Sequence, residues 1–183
     1  EDLYQRERAR DELPQSGSGR TIMTAEPKFV PEDAVRIRLS DDTTCMVRLV
    51  DCVGYMVHGA SGRFEDGSER LVTTPWFDHE VTMTEAAESG TRKVICDHST
   101  IGLIITTDGS ICDIDRESYI EPERRVVSEL KSIGKPFVIL LNSAQPDSER
   151  AIELERQLAD EYEAPCIRVN CQTLTEGDIC EIM

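Results

Sequence analysis

The sequence predicts an α/β fold with a mainly parallel sheet and helices on both faces, and three observations predict it. Beyond an early hairpin, strand-like apolar runs alternate with helical stripes, the pattern of successive crossovers. Arg48-Leu49-Val50-Asp51-Cys52-Val53-Gly54-Tyr55 is an apolar strand that stops at an acid, with a glycine three residues later. Pro136 to Asn142 is a second apolar strand, ending in Asn142-Ser143-Ala144-Gln145, where nucleotide-binding α/β proteins read the base. An acid at the end of a buried strand can hold a magnesium-bound water, and a glycine beyond it lets a backbone N–H approach a terminal phosphate. A plain strand followed by a loop opening with Asp has the same letters, so the motif draws its weight from its neighbours.

Taken in order, Glu1 to Leu13 is a densely charged helix ending at Leu13-Pro14. Residues 15–34 read as a long loop, because Pro27 and Pro31 oppose regular structure. Within it, Thr21-Ile22-Met23-Thr24 follows Ser16-Gly17-Ser18-Gly19, as a mobile loop carrying a magnesium-ligating hydroxyl would. Val35-Arg36-Ile37-Arg38-Leu39 alternates apolar and basic residues like a half-exposed strand, and Asp41-Asp42 turns it into Thr44 to Asp51, an antiparallel hairpin at a sheet edge. From Gly54 to Glu80 no apolar period survives, which reads as a second long loop. Thr82 with Glu85 makes a capping box for a helix through about Ser89.

Ile101 to Thr107 is a β-branched run and reads as a buried strand. The next helix has Pro122 at its start, apolar Val126, Val127, Leu130 and Ile133, and stop signals at Gly134 and Pro136. Ala151, Leu154, Leu158 and Tyr162 stripe another helix, Cys166 to Cys171 is a last short strand, and Leu174 to Met183 is a further helical run. Both ends lie in helical runs without caps, so the chain reads as a piece of a longer protein.

Composition limits the function classes. At 183 residues with 39% hydrophobic content, the chain suffices for one domain with its own core. A net charge of −16 argues against nucleic acid or an anionic membrane as a surface partner, because phosphates are repelled. The seven cysteines are odd in number and form no CxxC pair, as expected of reduced thiols in a cytosolic protein. No apolar run is long enough to span a bilayer. Asp97-His98-Ser99 gathers three catalytic residue types, but neighbours in sequence rarely face one another as a triad does. Gly17-Ser18-Gly19-Arg20-Thr21 lacks the lysine, the preceding strand and the glycine spacing of a phosphate loop, and no GxxxxGK[ST] motif occurs.

Asp11-Glu12-Leu13-Pro14-Gln15-Ser16, Thr21 to Thr24, Glu26-Pro27-Lys28-Phe29-Val30-Pro31, Arg48 to Tyr55, Thr74-Pro75-Trp76, Gly90-Thr91-Arg92-Lys93-Val94-Ile95, His98-Ser99-Thr100-Ile101-Gly102 and Ile105-Thr106-Thr107-Asp108-Gly109 together resemble the stage IV sporulation protein A family, up to about Asn142. The resemblance implies a P-loop NTPase (GTPase-like) domain over residues 1–183, with its first strand and Walker A loop lying before Glu1, the first switch at about 15–34, and the Walker B and second switch region at about 47–80. It implies an ATPase of the spore coat basement layer that hydrolyses ATP with Mg2+ to drive self-assembly around the forespore. In the full-length protein Asp51 is then the Walker B carboxylate acting on Mg2+ through water, Thr24 the sensor threonine and magnesium ligand, and Gly54 the residue at the terminal phosphate. Asn142, Ser143 and Gln145 bind the nucleotide base. Members often carry a second threonine where this chain has Ala25, and Tyr55 stands where Ras-like enzymes keep a water-positioning glutamine. Implied partners are further copies of the protein, a short amphipathic peptide anchored in the forespore membrane, and other coat morphogenetic proteins, on the mother-cell (cytoplasmic) face of the outer forespore membrane. This chain by itself is expected to be inactive. A GTPase-like regulatory switch and a non-catalytic scaffold piece are the alternatives.

Overall fold

A computed structural model describes residues 28–40, 42–52, 54–60, 63–65, 67–74 and 76–183. The proposed amino-terminal helix, Thr24 and most of the first switch lie outside them. The chain divides into two units, Glu1–Met56 with Ala60–His98, and Val57–Gly59 with Ser99–Met183.

In the first unit, strand β1 (Lys28–Arg38) pairs antiparallel with β2 (Thr44–Asp51), from Arg38 opposite Thr44 to Lys28 opposite Asp51. The hairpin is as expected, but β1 starts seven residues before Val35 and carries Pro31, where a loop was expected. The ladder explains this. Its register shifts between Val30 and Val35, so residues 31–34 stand outside the paired positions, and a proline without an N–H removes no cross-strand bond there.

The expected loop of residues 54–80 holds short antiparallel pairs instead. β3 (Phe64–Glu65) pairs with β4 (Ser68–Glu69), and β5 (Leu71–Val72) with β6 (Val81–Thr82). Two-residue strands are too short to show a period of two, and Gly67, at φ +80°, turns the first pair. The Thr82–Glu85 capping box is present and opens α1 (Met83–Lys93). This helix passes the expected stop at Ser89 and continues into a π-helical turn, Val94–His98. Gly90 is not a terminator here. A Cβ on it would lie 3.1 Å from the Trp76 ring, so the residue is small for packing.

The second unit is a parallel sheet in the order β7 (Gly102–Thr107), β8 (Phe137–Asn142), β9 (Cys166–Val169). Helices α2 (Glu117–Ser132) and α3 (Glu149–Tyr162) make the crossovers, and α4 (Glu176–Ile182) follows behind its Thr175–Asp178 capping box. The register sets Thr106, Leu141 and Arg168 in one row. Thr106 accepts from Arg116 at the start of α2, and Arg168 donates to Glu155 of α3. Both crossover helices therefore lie on one face of this sheet, not on two, as right-handed crossovers between strands taken in sequential order require. Ile104, Ile139, Leu141, Val127, Leu130 and Leu158 are buried on that side, whereas Leu103 and Ile105 are 43% and 60% exposed.

Helix α2 begins five residues before Pro122, which lies inside it. Its first turn closes tightly, with Ser118 and Tyr119 donating to Asp115 and Arg116. The helix ends where expected. Gly134 at φ +66° lets its own N–H reach Lys131 and that of Lys135 reach Leu130, so two terminal carbonyls are satisfied. Among the described residues, no helix is long and apolar enough to cross a membrane.

Candidate functional site

At the carboxyl ends of a parallel sheet, side chains from neighbouring strands converge. β7 ends in Thr106-Thr107-Asp108-Gly109-Ser110. Gly109 turns the chain at φ +84°, and a Cβ there would meet the Arg116 backbone nitrogen at 3.0 Å, so any larger residue is excluded on both grounds. The turn folds Ser110 back on Asp108, whose Oδ1 accepts from the Ser110 N–H at 2.9 Å and from its hydroxyl.

The loop after β8 closes onto that turn. Ser143 is fully buried and donates to Asp108 Oδ2 at 2.7 Å. Its Oγ accepts the Gln145 N–H at 3.0 Å, and Ser110 Oγ accepts the Ala144 N–H at 2.9 Å. Arg150, from the first turn of α3, donates to the Asp108 carbonyl at 3.0 Å. Burial pushes the Asp108 carboxyl up, but the hydrogen bonds from Ser110 and Ser143 and the charge of Arg150 outweigh it and hold it below its ordinary range.

Asn142 closes the third side. Its Oδ1 accepts the Cys171 N–H at 3.0 Å, tying the loop after β9 to the end of β8. With that oxygen engaged, the Asn142 amide has donors to offer a ligand, and a purine carries an acceptor at N7 whether it is adenine or guanine. Gln145 is exposed, with its backbone held from both sides by Ser143 and Ser148. Asn142, Ser143 and Gln145 thus come together in one loop. The Ser143 side chain faces the protein interior, where it braces the loop.

In the first unit, Asp51 is exposed at the last position of β2, and Gly54 follows at φ +77°. Among the described residues no atom lies within 4 Å of where a Gly54 Cβ would stand, so this glycine answers to its backbone angle and leaves open space beside it. An exposed carboxylate is free to make the water-mediated contact to Mg2+ that the sequence reading expects of Asp51. Between them, burial pushes the Cys52 thiol up, partly offset by the Gly54 N–H.

Asp108, Ser110, Arg150 and Cys52 escaped the sequence reading as site residues. An acid at the end of an apolar strand, with a glycine three residues later, singles out Asp51; Asp108 also stands at the end of an apolar strand, with its glycine directly after it.

Residues 1–183 match the family described as stage IV sporulation protein A, ATPase domain. The stage IV sporulation protein A of Clostridioides difficile (strain 630) is 53% identical over 180 residues, covering 98% of this chain and 37% of that protein. The proteins of the same name from Bacillus anthracis and Bacillus subtilis (strain 168) are 50% and 47% identical over 178 residues, 97% of this chain and 36% of each relative. The chain thus spans 36–37% of the length of these curated relatives. No solved structure matches it.

Proposed function

The chain belongs to the stage IV sporulation protein A ATPase-domain family, and from that membership we propose that the full-length protein hydrolyses ATP to drive its own assembly in the spore coat basement layer around the forespore. The observation that carries the nucleotide reading is the braced loop Asn142–Gln145 at the carboxyl end of the middle strand of a parallel sheet. That is where α/β folds bind ligands.

In this reading Asn142 donates to the purine, and Gln145 takes the place at which guanine-selective loops carry a carboxylate. A carboxylate accepts from two guanine donors, whereas an amide brings one acceptor together with donors of its own. Asp51 orients a water on Mg2+, Gly54 admits a backbone N–H to the terminal phosphate, and Thr24 senses that phosphate. Bound Mg2+ supplies neutralisation of the charge that develops on the transferred phosphoryl group. The proposed partners are further copies of the protein, an amphipathic forespore-membrane peptide and other coat morphogenetic proteins, on the mother-cell side of the outer forespore membrane.

The spacing of Asp51 and Gly54 also suits a guanine-nucleotide switch. Competition binding on the full-length protein separates the two readings. ATP at least as tight as GTP supports the ATPase; GTP about tenfold tighter, about 1.4 kcal/mol, overturns it in favour of the switch.

A further inference from the structure

We propose that Asp108 is a positioning residue for the nucleotide base: one buried carboxylate orients two serine hydroxyls, and these hold the backbone N–H groups of Ala144 and Gln145 in the base-reading loop. The inference rests on the reading of residues 142–145 as the base loop and deepens it.

A serine hydroxyl has a single proton. Ser143 gives its proton to Asp108 Oδ2 at 2.7 Å and Ser110 gives its own to Oδ1, so what each hydroxyl presents to the loop is a lone pair. Those lone pairs take the Gln145 N–H at 3.0 Å and the Ala144 N–H at 2.9 Å. The carboxylate therefore sets the polarity of the whole relay. At neutral pH its hydrogen bonds keep it ionised, able only to accept. Asp108 is 4% exposed and Ser143 is 0% exposed, so water does not readily replace a lost partner. Arg150 fixes the Asp108 backbone from α3, which leaves the carboxylate a rigid platform.

Asp108→Asn keeps the shape and breaks the polarity. If the new NH2 faces Ser143, two donors meet and the serine proton has no acceptor; if it faces Ser110, the same conflict arises there. The Asn142–Gln145 loop is then no longer held in one conformation. A loop that touches only the base changes the affinity for ATP and leaves that for a triphosphate without a base.

The test is calorimetry on the full-length protein with magnesium, comparing ATP with inorganic tripolyphosphate for wild type, Asp108→Asn, Ser110→Ala and Asn142→Ala. Asp108→Asn is expected to weaken ATP about tenfold and tripolyphosphate less than about twofold, in line with one inverted buried hydrogen bond. Ser110→Ala, which removes one exposed arm and spares the buried carboxylate, is expected to shift ATP alone by about threefold. It keeps the inference testable should Asp108→Asn fail to fold. Equal weakening of both ligands, or no change in ATP affinity where Asn142→Ala does weaken ATP selectively, overturns the positioning role. If Asn142→Ala itself fails to separate the two ligands, the base-loop reading falls first and this inference with it.

Discussion

Removing the Glu123 carboxylate is expected to be among the costlier single changes in the second unit. Glu123 lies on α2 with its side chain 2% exposed and meets the Arg116 guanidinium along both edges, Nη2 to Oε1 at 2.9 Å and Nη1 to Oε2 at 2.8 Å. Oε2 has no well-aligned hydrogen bond, but at 2.8 Å from Nη1 its charge is met. Tyr162 on α3 donates to Oε1 at 2.7 Å. In Glu123→Ala the Arg116 side chain, 11% exposed, keeps among the described residues only Thr106 at 3.2 Å, and the Tyr162 hydroxyl loses its acceptor. Breaking a buried pair by removing one partner costs about 3–5 kcal/mol, a large fraction of a domain's stability. Tyr162→Phe removes one hydrogen bond and leaves the ion pair, so it should cost about 1–2 kcal/mol. Arg116→Met with Glu123→Leu removes both charges but still leaves the Tyr162 hydroxyl without its acceptor, so it should cost about 1–3 kcal/mol, less than Glu123→Ala. Urea unfolding followed by circular dichroism gives the order. With a slope of about 2 kcal/mol per molar, Glu123→Ala should lower the midpoint by about 2 M. A cost below about 1 kcal/mol for Glu123→Ala, or a double variant weaker than the single one, refutes the reasoning.

Three further outcomes follow from the same geometry. Gly90→Leu should overpack the Trp76 contact, lowering stability by about 1–3 kcal/mol; because the chain has one tryptophan, its fluorescence should shift on the same substitution, and an unchanged spectrum would contradict the packing. Burial, with Glu155 and Glu123 nearby, pushes the Cys166 thiol up to about 12, so at pH 8 an alkylating reagent should modify exposed Cys112 and Cys180 well before Cys166, as read by mass spectrometry. Burial and the hydrogen bond to Glu123 raise the Tyr162 hydroxyl above its usual range. A raised folded value means stability present below the unfolded value, about 10, and lost as pH rises through the folded one. Wild type should therefore lose stability above about pH 10 in a way Tyr162→Phe does not.

The second unit was legible wherever one signal had one meaning. The stop at Gly134 and the stripe through Ala151, Leu158 and Tyr162 each became the element expected, and the β-branched run at 101–107 became a strand, though one buried on a single face, with Leu103 and Ile105 exposed on the other. Where a residue could serve two ends, the reading slipped. Pro31 opposes regular structure in the sequence and stands at the bulge of β1; the helix expected through about Ser89 runs on through Gly90, which accommodates a tryptophan. Pro122 reads in the sequence as the opening of α2, whose real start at Glu117 has no side-chain cap to signal it. The base loop was found from Asn142 to Gln145, but its brace was not. Asp108 lies 35 residues before Ser143, and only the pairing of β7 with β8 brings them together. Thr24 lies outside the described residues, so its part rests on the family resemblance.

ATP turnover and affinity in the full-length protein, wild type beside Asp51→Ala and Thr24→Ala, decide whether hydrolysis at the terminal phosphate drives assembly. Both variants are expected to bind ATP within a few-fold of wild type while hydrolysis falls by about ten- to a thousandfold, with sedimentable polymer lost alongside it, because each residue acts on the terminal phosphate and not on the base. Hydrolysis unchanged in both variants, or polymer at wild-type levels despite lost turnover, would contradict it.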